Sequence, residues 1–233
     1  MSSSNEFYKF SHNYRKIHNK NLKLTGYSSW YFAQRKIREI SNQIKNTNEP
    51  LCILDLGCGD GLCTFFLHNY FPNAHLHGLD ISTGMIQKAR QRNIAKSKFS
   101  TYDGKHIPYD DKYFNIIMVA NVLHHITGTR NHLSILSECY RILNTKGILF
   151  VFEHNPLNPI TCHIVRNCPF DKNAVLITHY NMRKILGHAG FVTTCRFIHF
   201  LPAFLHKLEF LEKGLWWAPL GGQYYYTCIR KTH

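Results

Sequence analysis

The chain has 233 residues, of which 44% are hydrophobic and 14% aromatic, so it is long enough to bury a full core as one domain. Its 28 Lys and Arg against 14 Asp and Glu give a formal charge of +14, which suits a nucleic acid, an anionic membrane face or an acidic substrate, and which is also ordinary in some bacterial proteins. With no signal-peptide pattern and no apolar run of about 18 residues, we expect a cytoplasmic protein without a membrane span.

The first 50 residues are basic and contain one clear helical pattern. Residues 27 to 44 place Trp30, Ile37 and Ile40 at helical spacing, and residues 46 to 50 read as a linker into the first strand. We expect residues 1–50 to form a helical cap. The alternative is that its basic residues are a solvated face and its aromatic residues belong to the core.

The segment that follows combines a buried strand, a glycine loop and a helix. Residues 51 to 56 have the composition of a parallel strand, and glycines at 57, 59 and 61 permit a sharp turn and close approach to a ligand. A helical pattern over residues 62 to 70 then presents its N-terminus to the turn, which predicts a nucleotide-type cofactor site. Leu62 breaks the dinucleotide fingerprint, and no Gly-Lys-Ser/Thr completes a P-loop.

Two further strand-like segments end in acids. Residues 75 to 80 end at Asp80, about 20 residues after the loop, where a ribose-binding carboxylate belongs. Residues 83 to 93 have an amphipathic helical pattern, and the strand that follows them ends at Asp103 and Gly104. A fourth strand, residues 114 to 120, exits through Asn-Val-Leu-His-His-Ile.

This ordered set resembles motif I, the motif II acid and the strand-four exit of class I S-adenosylmethionine (SAM) dependent methyltransferases. The resemblance covers residues 53 to 126, with one small departure, Asn115, where an Asp is usual. It implies SAM as the cofactor and a Rossmann-like α/β fold. That fold is a doubly wound, mainly parallel seven-stranded sheet with helices on both faces and the last strand antiparallel.

The resemblance also assigns roles to residues. The loop backbone faces the methionine part, Asp80 holds the ribose, Ile81 packs on the adenine, and Asp103 binds its edge. Helices before the first strand close over the cofactor in this family, so Tyr14, Arg15, Tyr27 and Trp30 are candidates to touch it or the substrate. The expected cofactor-binding residues are Asp55, Gly57, Cys58, Gly59, Asp80, Ile81, Asp103, Gly104, Ala120 and Asn121.

Acceptor chemistry is expected at the same rim, after the fifth strand. Residues 130 to 143 read as a helix and residues 148 to 152 as that strand, which leads directly into Glu153 and His154. We predict His154 as a base for a hydroxyl acceptor, with Glu153 orienting it or contacting the substrate. His124, His125 and His179 are rivals, and each histidine is also open to a purely structural role. We therefore divide the chain into a SAM-binding half, 51–153, and a substrate half, 154–233.

The last third contains a helix over residues 181 to 189, strands over 191 to 200 and 223 to 229, and a helical insertion near 201–217. The apolar residues of this insertion suit packing on its own core, a lid over the acceptor pocket, a dimer surface, or peripheral membrane contact for a lipid-linked acceptor. Lys207 and Lys213 are offset by Glu209 and Glu212, so this helix alone does not favour anionic lipid.

The eight cysteines form no Cys-x-x-Cys pair, which indicates reduced thiols. We expect no metal, because the His and Cys residues between positions 154 and 168 match no zinc module.

The sequence thus predicts a SAM-dependent methyltransferase acting on oxygen or nitrogen of a small-molecule or lipid- or glycan-linked acceptor. The alternatives are an RNA methyltransferase, which rests on charge alone, and a non-catalytic SAM-binding protein. Asn155-Pro156 follows strand five rather than strand four and lacks a second proline, which counts against methylation of a nucleic-acid base amino group. Nucleic acid is therefore not the favoured partner, and the pattern gives no oligomeric state.

Overall fold

The structure is a computed structural model that describes residues 14–231. Within that range seven strands form one mixed sheet in the order β3-β2-β1-β4-β5-β7-β6. The strands are β1 Cys52–Leu56, β2 His75–Asp80, β3 Ser97–Thr101, β4 Phe114–Ala120, β5 Leu143–His154, β6 Phe191–Ile198 and β7 Gln223–Arg230.

Helices cover both faces of the sheet. The α-helices are α1 Tyr14–Asn21, α2 Ser29–Ser41, α3 Leu62–Tyr70, α4 Thr83–Gln91, α5 Thr129–Ile142, α6 Pro159–Arg166 and α7 His179–His188. Shorter 3₁₀ helices occupy Leu22–Thr25 and Leu123–His125, and a longer one occupies Ala203–Gly214. None of the helices in the described part of the chain has both the length and the apolar character that crossing a bilayer requires.

The strand order places a crevice beside the glycine loop. β1 pairs in parallel with β2 on one side and with β4 on the other, so the chain reverses its direction of travel across the sheet there. Ligands of doubly wound proteins bind at such a point, outside the carboxyl ends of the strands. β7 lies antiparallel between β5 and β6, which confirms the antiparallel last strand and the predicted fold class.

The alternation of side chains along the strands builds a core on each face. Neighbouring residues of β1 belong to different clusters: Ile53 packs with Ile37 and Leu67, whereas Leu54 packs with Leu136 and Leu186. All six are completely buried. Burial on both faces explains why the central strands are continuous apolar runs rather than alternating ones.

Three elements differ from the sequence-based prediction. Helix α6 was not predicted, although Asn158 caps it by accepting from the Thr161 N–H at 3.0 Å and Pro159 occupies its first turn. β5 begins at Leu143, earlier than expected, because Leu143 already pairs with Phe114. The insertion is a 3₁₀ helix with a kink at Leu205 and not an α-helix over residues 201 to 217.

Candidate cofactor and acceptor site

The glycine loop is tied to the end of β2 and shaped by its glycines. The Gly57 and Cys58 N–H groups both donate to the Leu79 carbonyl, at 2.7 and 3.0 Å. Gly57 has φ +77°, and a Cβ there would lie 2.2 Å from Val122 Cγ2. Gly59, with φ +55°, has nothing within 4 Å of such a Cβ. The loop therefore packs tightly at one glycine and opens a cradle at the other.

Asp80 lies at the centre of this rim. One carboxylate oxygen accepts from the Gly59 N–H at 2.9 Å and the other from the Ser82 N–H at 2.8 Å. Burial raises the pKa of Asp80, and these backbone donors partly offset that shift. The carboxylate thus joins the glycine loop to the start of α4 while it also lines the cavity.

The predicted adenine residues sit next along the rim. A Cβ on Gly104 would lie 3.3 Å from Ile81 Cγ2, so these two residues form adjoining walls of the cavity. Asp103 Oδ1 accepts from the Lys105 and His106 N–H groups, both at 2.8 Å, and these bonds lower the pKa of Asp103. The loop after β3 is therefore held by its own carboxylate.

Asp55 lies behind the loop. Its side chain is 2% exposed and accepts from Thr64 Oγ1 at 2.7 Å, and burial raises its pKa to about 7. This placement orders the loop against α3. It does not bring the carboxylate to the cavity wall, so direct contact with the cofactor stays a prediction.

A cavity of about 990 Å³ begins at this rim and continues toward the end of β5. Asn121, with φ +58°, lines it and has a buried side-chain oxygen without a hydrogen-bond partner among the described residues. An orphan acceptor, the open cradle at Gly59 and the Asp80 carboxylate fit a ligand that carries amino and hydroxyl groups, as SAM does. The predicted cofactor residues that line the cavity are Gly57, Cys58, Gly59, Asp80, Ile81, Asp103, Gly104, Ala120 and Asn121.

Helix α1 is bound to the glycine loop by an ion pair with Asp60. The Arg15 Nε donates to Asp60 Oδ2 at 2.7 Å, and Arg92 Nη2 donates to the same oxygen at 2.8 Å. Burial alone would raise the pKa of Asp60, but the two guanidinium groups outweigh it and lower that pKa. Arg15 thereby lies at the cavity wall, as predicted for a residue of the helical cap.

Of the other predicted cap residues, Tyr27 lines the cavity and stacks on Tyr31 with ring centroids 3.7 Å apart. Trp30 instead packs edge-on against Phe65 and Phe66 on the outer side of α3. The side chain of Tyr14 lies outside the described residues.

Lys36 on α2 is a cavity residue that the sequence analysis missed. It is 4% exposed, and burial lowers the pKa of its ammonium group. A signal was available, since Ala33, Lys36, Ile37 and Ile40 follow the i, i+3, i+4, i+7 pattern of one buried helix face. A lysine within such a stripe either pairs or serves a site.

The far end of the cavity contains a buried histidine between two carboxylates. His124 Nδ1 donates to Glu153 Oε2 at 2.6 Å, and its Nε2 lies 3.7 Å from Asp171 Oδ1. Burial alone would lower the pKa of His124, but the two carboxylates raise it to about 10. Glu153 also accepts from the Leu123 N–H at 2.8 Å. We refer to His124, Glu153 and Asp171 as the ion triad.

The ion triad changes the interpretation of the predicted catalytic pair. Glu153 is 1% exposed and binds His124, so its carboxylate does not orient His154 or face the cavity. His154 does line the cavity, with its ring centroid 5.2 Å from that of His124. Burial and the adjacent His124 charge lower the pKa of His154 to about 3 and that of His125 to about 4. Both are therefore neutral imidazoles at neutral pH.

Among the rival residues, His125 lines the cavity, whereas His179 packs edge-on against Phe197. Asp171 was missed because it lies in an irregular segment that no pattern places at the site. Its carboxylate and the Nε2 atoms of His124 and His125 lie within 4.8 Å of one another, which makes this the metal-sized group found among the described residues. It differs from the His and Cys set weighed from the sequence.

Comparisons with known proteins match this chain to methyltransferases. Residues 53–147 match a family model described as a methyltransferase domain. The chain is 32% identical over 109 residues to demethylmenaquinone methyltransferase of Thermotoga maritima, covering 47% of this chain and 46% of that one. It is 28% identical over 109 residues to malonyl-[acyl-carrier protein] O-methyltransferase of Legionella pneumophila, covering 46% and 37%. The chain thus spans less than half the length of these relatives.

Solved structures share the fold over most of the chain. One is a chain of the complex between the Haloferax volcanii Trm112 methyltransferase activator and a methyltransferase, with a TM-score of 0.71, 18% identity and coverage of 97% of this chain and 98% of that one. Another is a SAM dependent methyltransferase from Archaeoglobus fulgidus, with a TM-score of 0.65, 18% identity and coverage of 88% and 95%. At this identity the likeness establishes the fold.

Proposed function

We propose that this chain is a class I SAM-dependent methyltransferase that transfers a methyl group to oxygen or nitrogen of a small-molecule or lipid-linked acceptor. The observation that carries the proposal is one continuous cavity that joins the cofactor rim to His125 and His154. The proposal also divides the chain into a helical cap, 1–50, a SAM-binding half, 51–153, and a substrate half, 154–233.

The rim residues would hold SAM through opposite ends of the molecule. The Asp80 carboxylate would accept from the ribose hydroxyls, and Ile81 with Gly104 would enclose the adenine. The Asn121 side-chain oxygen would accept from the methionyl amino group, because it is buried and lacks another donor among the described residues. When bound, SAM supplies a methyl group that its sulfonium has already activated, so the protein contributes mainly positioning.

Lys36 and Arg15 would bind the methionyl carboxylate. Both line the cavity near the glycine loop, and they supply positive charge at its buried end. Burial lowers the pKa of Lys36, and an incoming carboxylate would raise that pKa again by stabilising the ammonium group. Lys36 is therefore a cofactor-binding residue in this proposal.

At the acceptor end, a neutral His154 would accept a hydrogen bond from the acceptor O–H or N–H and fix its lone pair toward the methyl group. Its low pKa makes it a weak base, so it takes the proton late, when the methylated oxygen has become a strong acid. This favours oxygen over nitrogen. The ion triad acts as a support, because it binds the segment after β4 to β5, and the His124 charge adds to the burial that lowers the pKa of His154.

A binding experiment tests the cofactor half of the proposal. S-adenosylhomocysteine carries the amino-acid part of SAM, whereas 5′-methylthioadenosine lacks it. Lys36→Met should weaken S-adenosylhomocysteine binding at least tenfold in calorimetry and leave 5′-methylthioadenosine binding unchanged. Lys45→Met, at an exposed position, is the matched control. Equal loss for both ligands would show that Lys36 supports the fold and does not bind the carboxylate.

A labelling experiment tests the acceptor half. The protein is incubated with methyl-labelled SAM and a cell extract, and lipid, small-molecule and RNA fractions are separated. We expect label in the lipid or small-molecule fraction and its loss with His154→Asn. Label in RNA would contradict the proposed acceptor class, and no label in any fraction would contradict the methyltransferase proposal.

A further inference from the structure

The segment that follows β6 exposes several large apolar side chains within 17 residues, 204 to 220. Phe204 is 81% exposed, Phe210 62%, Trp217 64% and Leu220 68%. We refer to these four residues as the apolar face. Single exposed apolar residues are common, but a group of aromatic ones within a short segment marks an interaction surface.

The acids of this segment do not share that face. Glu209 pairs with Arg35 and Arg38, and Glu212 Oε2 lies 3.3 Å from Arg35 Nη2. Glu212 is 3% exposed, and its other oxygen accepts from the Phe200 and Leu201 N–H groups, both at 2.9 Å. Both carboxylates therefore pair with arginines of α2, of which Arg35 also pairs with Glu39, and no pattern within the segment itself reveals these partners.

The lysines remain on the outside. Lys207 and Lys213 are exposed, and neither takes part in an ion pair among residues 14–231. Glu209 and Glu212 therefore do not pair with these lysines, because both carboxylates pair with arginines of α2. The segment presents exposed aromatic rings and two lysines that form no ion pair among the described residues, on a chain with a formal charge of +14.

The same segment begins at the cavity wall. Leu201 and Pro202, at the start of the segment, line the cavity, and a Cβ on Gly26 would lie 2.8 Å from Ala203 Cβ. Leu24, 60% exposed, and Ile160, 50% exposed, also line the cavity. The lining of the cavity thus includes exposed apolar side chains and residues of the segment that carries the apolar face.

We propose that the apolar face, with Lys207 and Lys213, binds the surface of a bilayer that contains anionic lipid and so presents the cavity mouth to acceptors in that surface. Aromatic rings partition to the headgroup region, while lysines are attracted to anionic headgroups. A water-soluble protein partner would account for the exposed apolar rings but not for the two lysines that accompany them. The role of the cavity in this proposal rests on the proposed function, whereas the binding itself does not.

The test uses the full chain and two kinds of vesicle. One contains phosphatidylglycerol and phosphatidylcholine in equal parts, and the other contains phosphatidylcholine alone. We expect the protein to sediment with the anionic vesicles, to be released by high salt, and to show a blue shift of tryptophan emission on binding. Sedimentation with both vesicles alike, or with neither, would overturn the proposal.

Variants separate the contribution of the aromatic residues from that of the lysines. Phe210→Ser with Trp217→Ser should abolish sedimentation, and each of Lys207→Glu and Lys213→Glu should weaken it about fivefold or more. The matched control is Val192→Ser with Ile229→Ser, two exposed apolar residues that pair with each other at the other end of β6 and β7. We expect wild-type sedimentation from the control. Wild-type sedimentation from the face variant, or its loss in the control alone, would overturn the proposal.

A cofactor measurement keeps this result distinct from the proposed function. All these variants should bind S-adenosylhomocysteine like the wild type, because none of the substituted residues lines the cavity. If wild-type protein bound anionic vesicles but not S-adenosylhomocysteine, the proposed function would fail and the membrane surface would stand. The reverse result would remove the membrane surface alone. A face variant that changed the oligomeric state instead of vesicle binding would assign the apolar face to a second copy of the chain.

Discussion

Replacing Asp80 by Ala should remove most of the affinity for the cofactor. In the proposed complex, two charge-assisted hydrogen bonds to the ribose hydroxyls would contribute about 1.5–3 kcal/mol each, so their loss would weaken binding by on the order of 10²–10⁴-fold. The same carboxylate also binds the Gly59 and Ser82 N–H groups. We therefore expect the fold to survive with a stability loss of about 2 kcal/mol and a fall in Tm of roughly 4–8 °C.

Calorimetric titration with S-adenosylhomocysteine, beside thermal unfolding of the same preparations, measures both effects. Asp80→Asn keeps the shape and one acceptor oxygen, so its affinity should lie between those of Asp80→Ala and the wild type. Asp103→Ala is the neighbouring control. Its carboxylate binds only the backbone of its own loop in the structure, at Lys105 and His106, so the loss should be smaller. A folded Asp80→Ala protein with wild-type affinity would refute the assignment of this carboxylate to the cofactor.

Three further predictions concern the acceptor end of the cavity. The raised pKa of His124 contributes stability that is fully present below about pH 6.5 and is lost as pH rises through about 10, so Glu153→Gln should flatten this alkaline loss in thermal unfolding between pH 6 and pH 11. Since His154 is already neutral well below pH 6, kcat/KM should show no ionisation near pH 6.5, and an acid limb there that disappears in His154→Asn would contradict its low pKa. Because the His124 imidazolium already balances the carboxylates, EDTA should leave the rate unchanged, whereas loss of activity restored by zinc would place a metal at His124, His125 and Asp171.

The grouping of the predicted cofactor residues on one cavity was predictable from the sequence, because each motif is local and parallel strands bring their carboxyl ends to one edge of the sheet. Asp80 and Asp103 each end a strand, and parallel strands bring their carboxyl ends to one edge. The glycine loop requires positive φ at Gly57, Gly59 and Gly61, and all three adopt it. No long-range information was needed to place these residues on one cavity.

The acceptor half depends on partners that lie far apart in the sequence. Glu153 was paired with its neighbour His154, but consecutive strand residues point to opposite faces, and the carboxylate meets His124 instead. From the sequence, Glu209 was expected to offset the lysines of its own segment. In the structure it binds Arg35, which lies 174 positions away. In both cases the sequence identifies the charged residues correctly. Which partner each carboxylate binds is set by packing between elements, and a single sequence does not show that packing.

Two of the three loop glycines, Gly57 and Gly59, allow the structural role of the loop to be separated from its role in binding. Gly57→Ala places a methyl group 2.2 Å from Val122 Cγ2 at a positive φ, so we expect destabilisation of about 2–5 kcal/mol. Gly59→Ala meets nothing within 4 Å and bears only the cost of its positive φ, about 1–2 kcal/mol, so its Tm should fall by less than 10 °C. Its methyl group nevertheless projects into the cavity that Gly59 lines, where the methionine part of the cofactor must approach the backbone. S-adenosylhomocysteine affinity should therefore drop more than tenfold in a stable Gly59→Ala protein, and wild-type affinity there would mean that the cofactor does not lie against this loop.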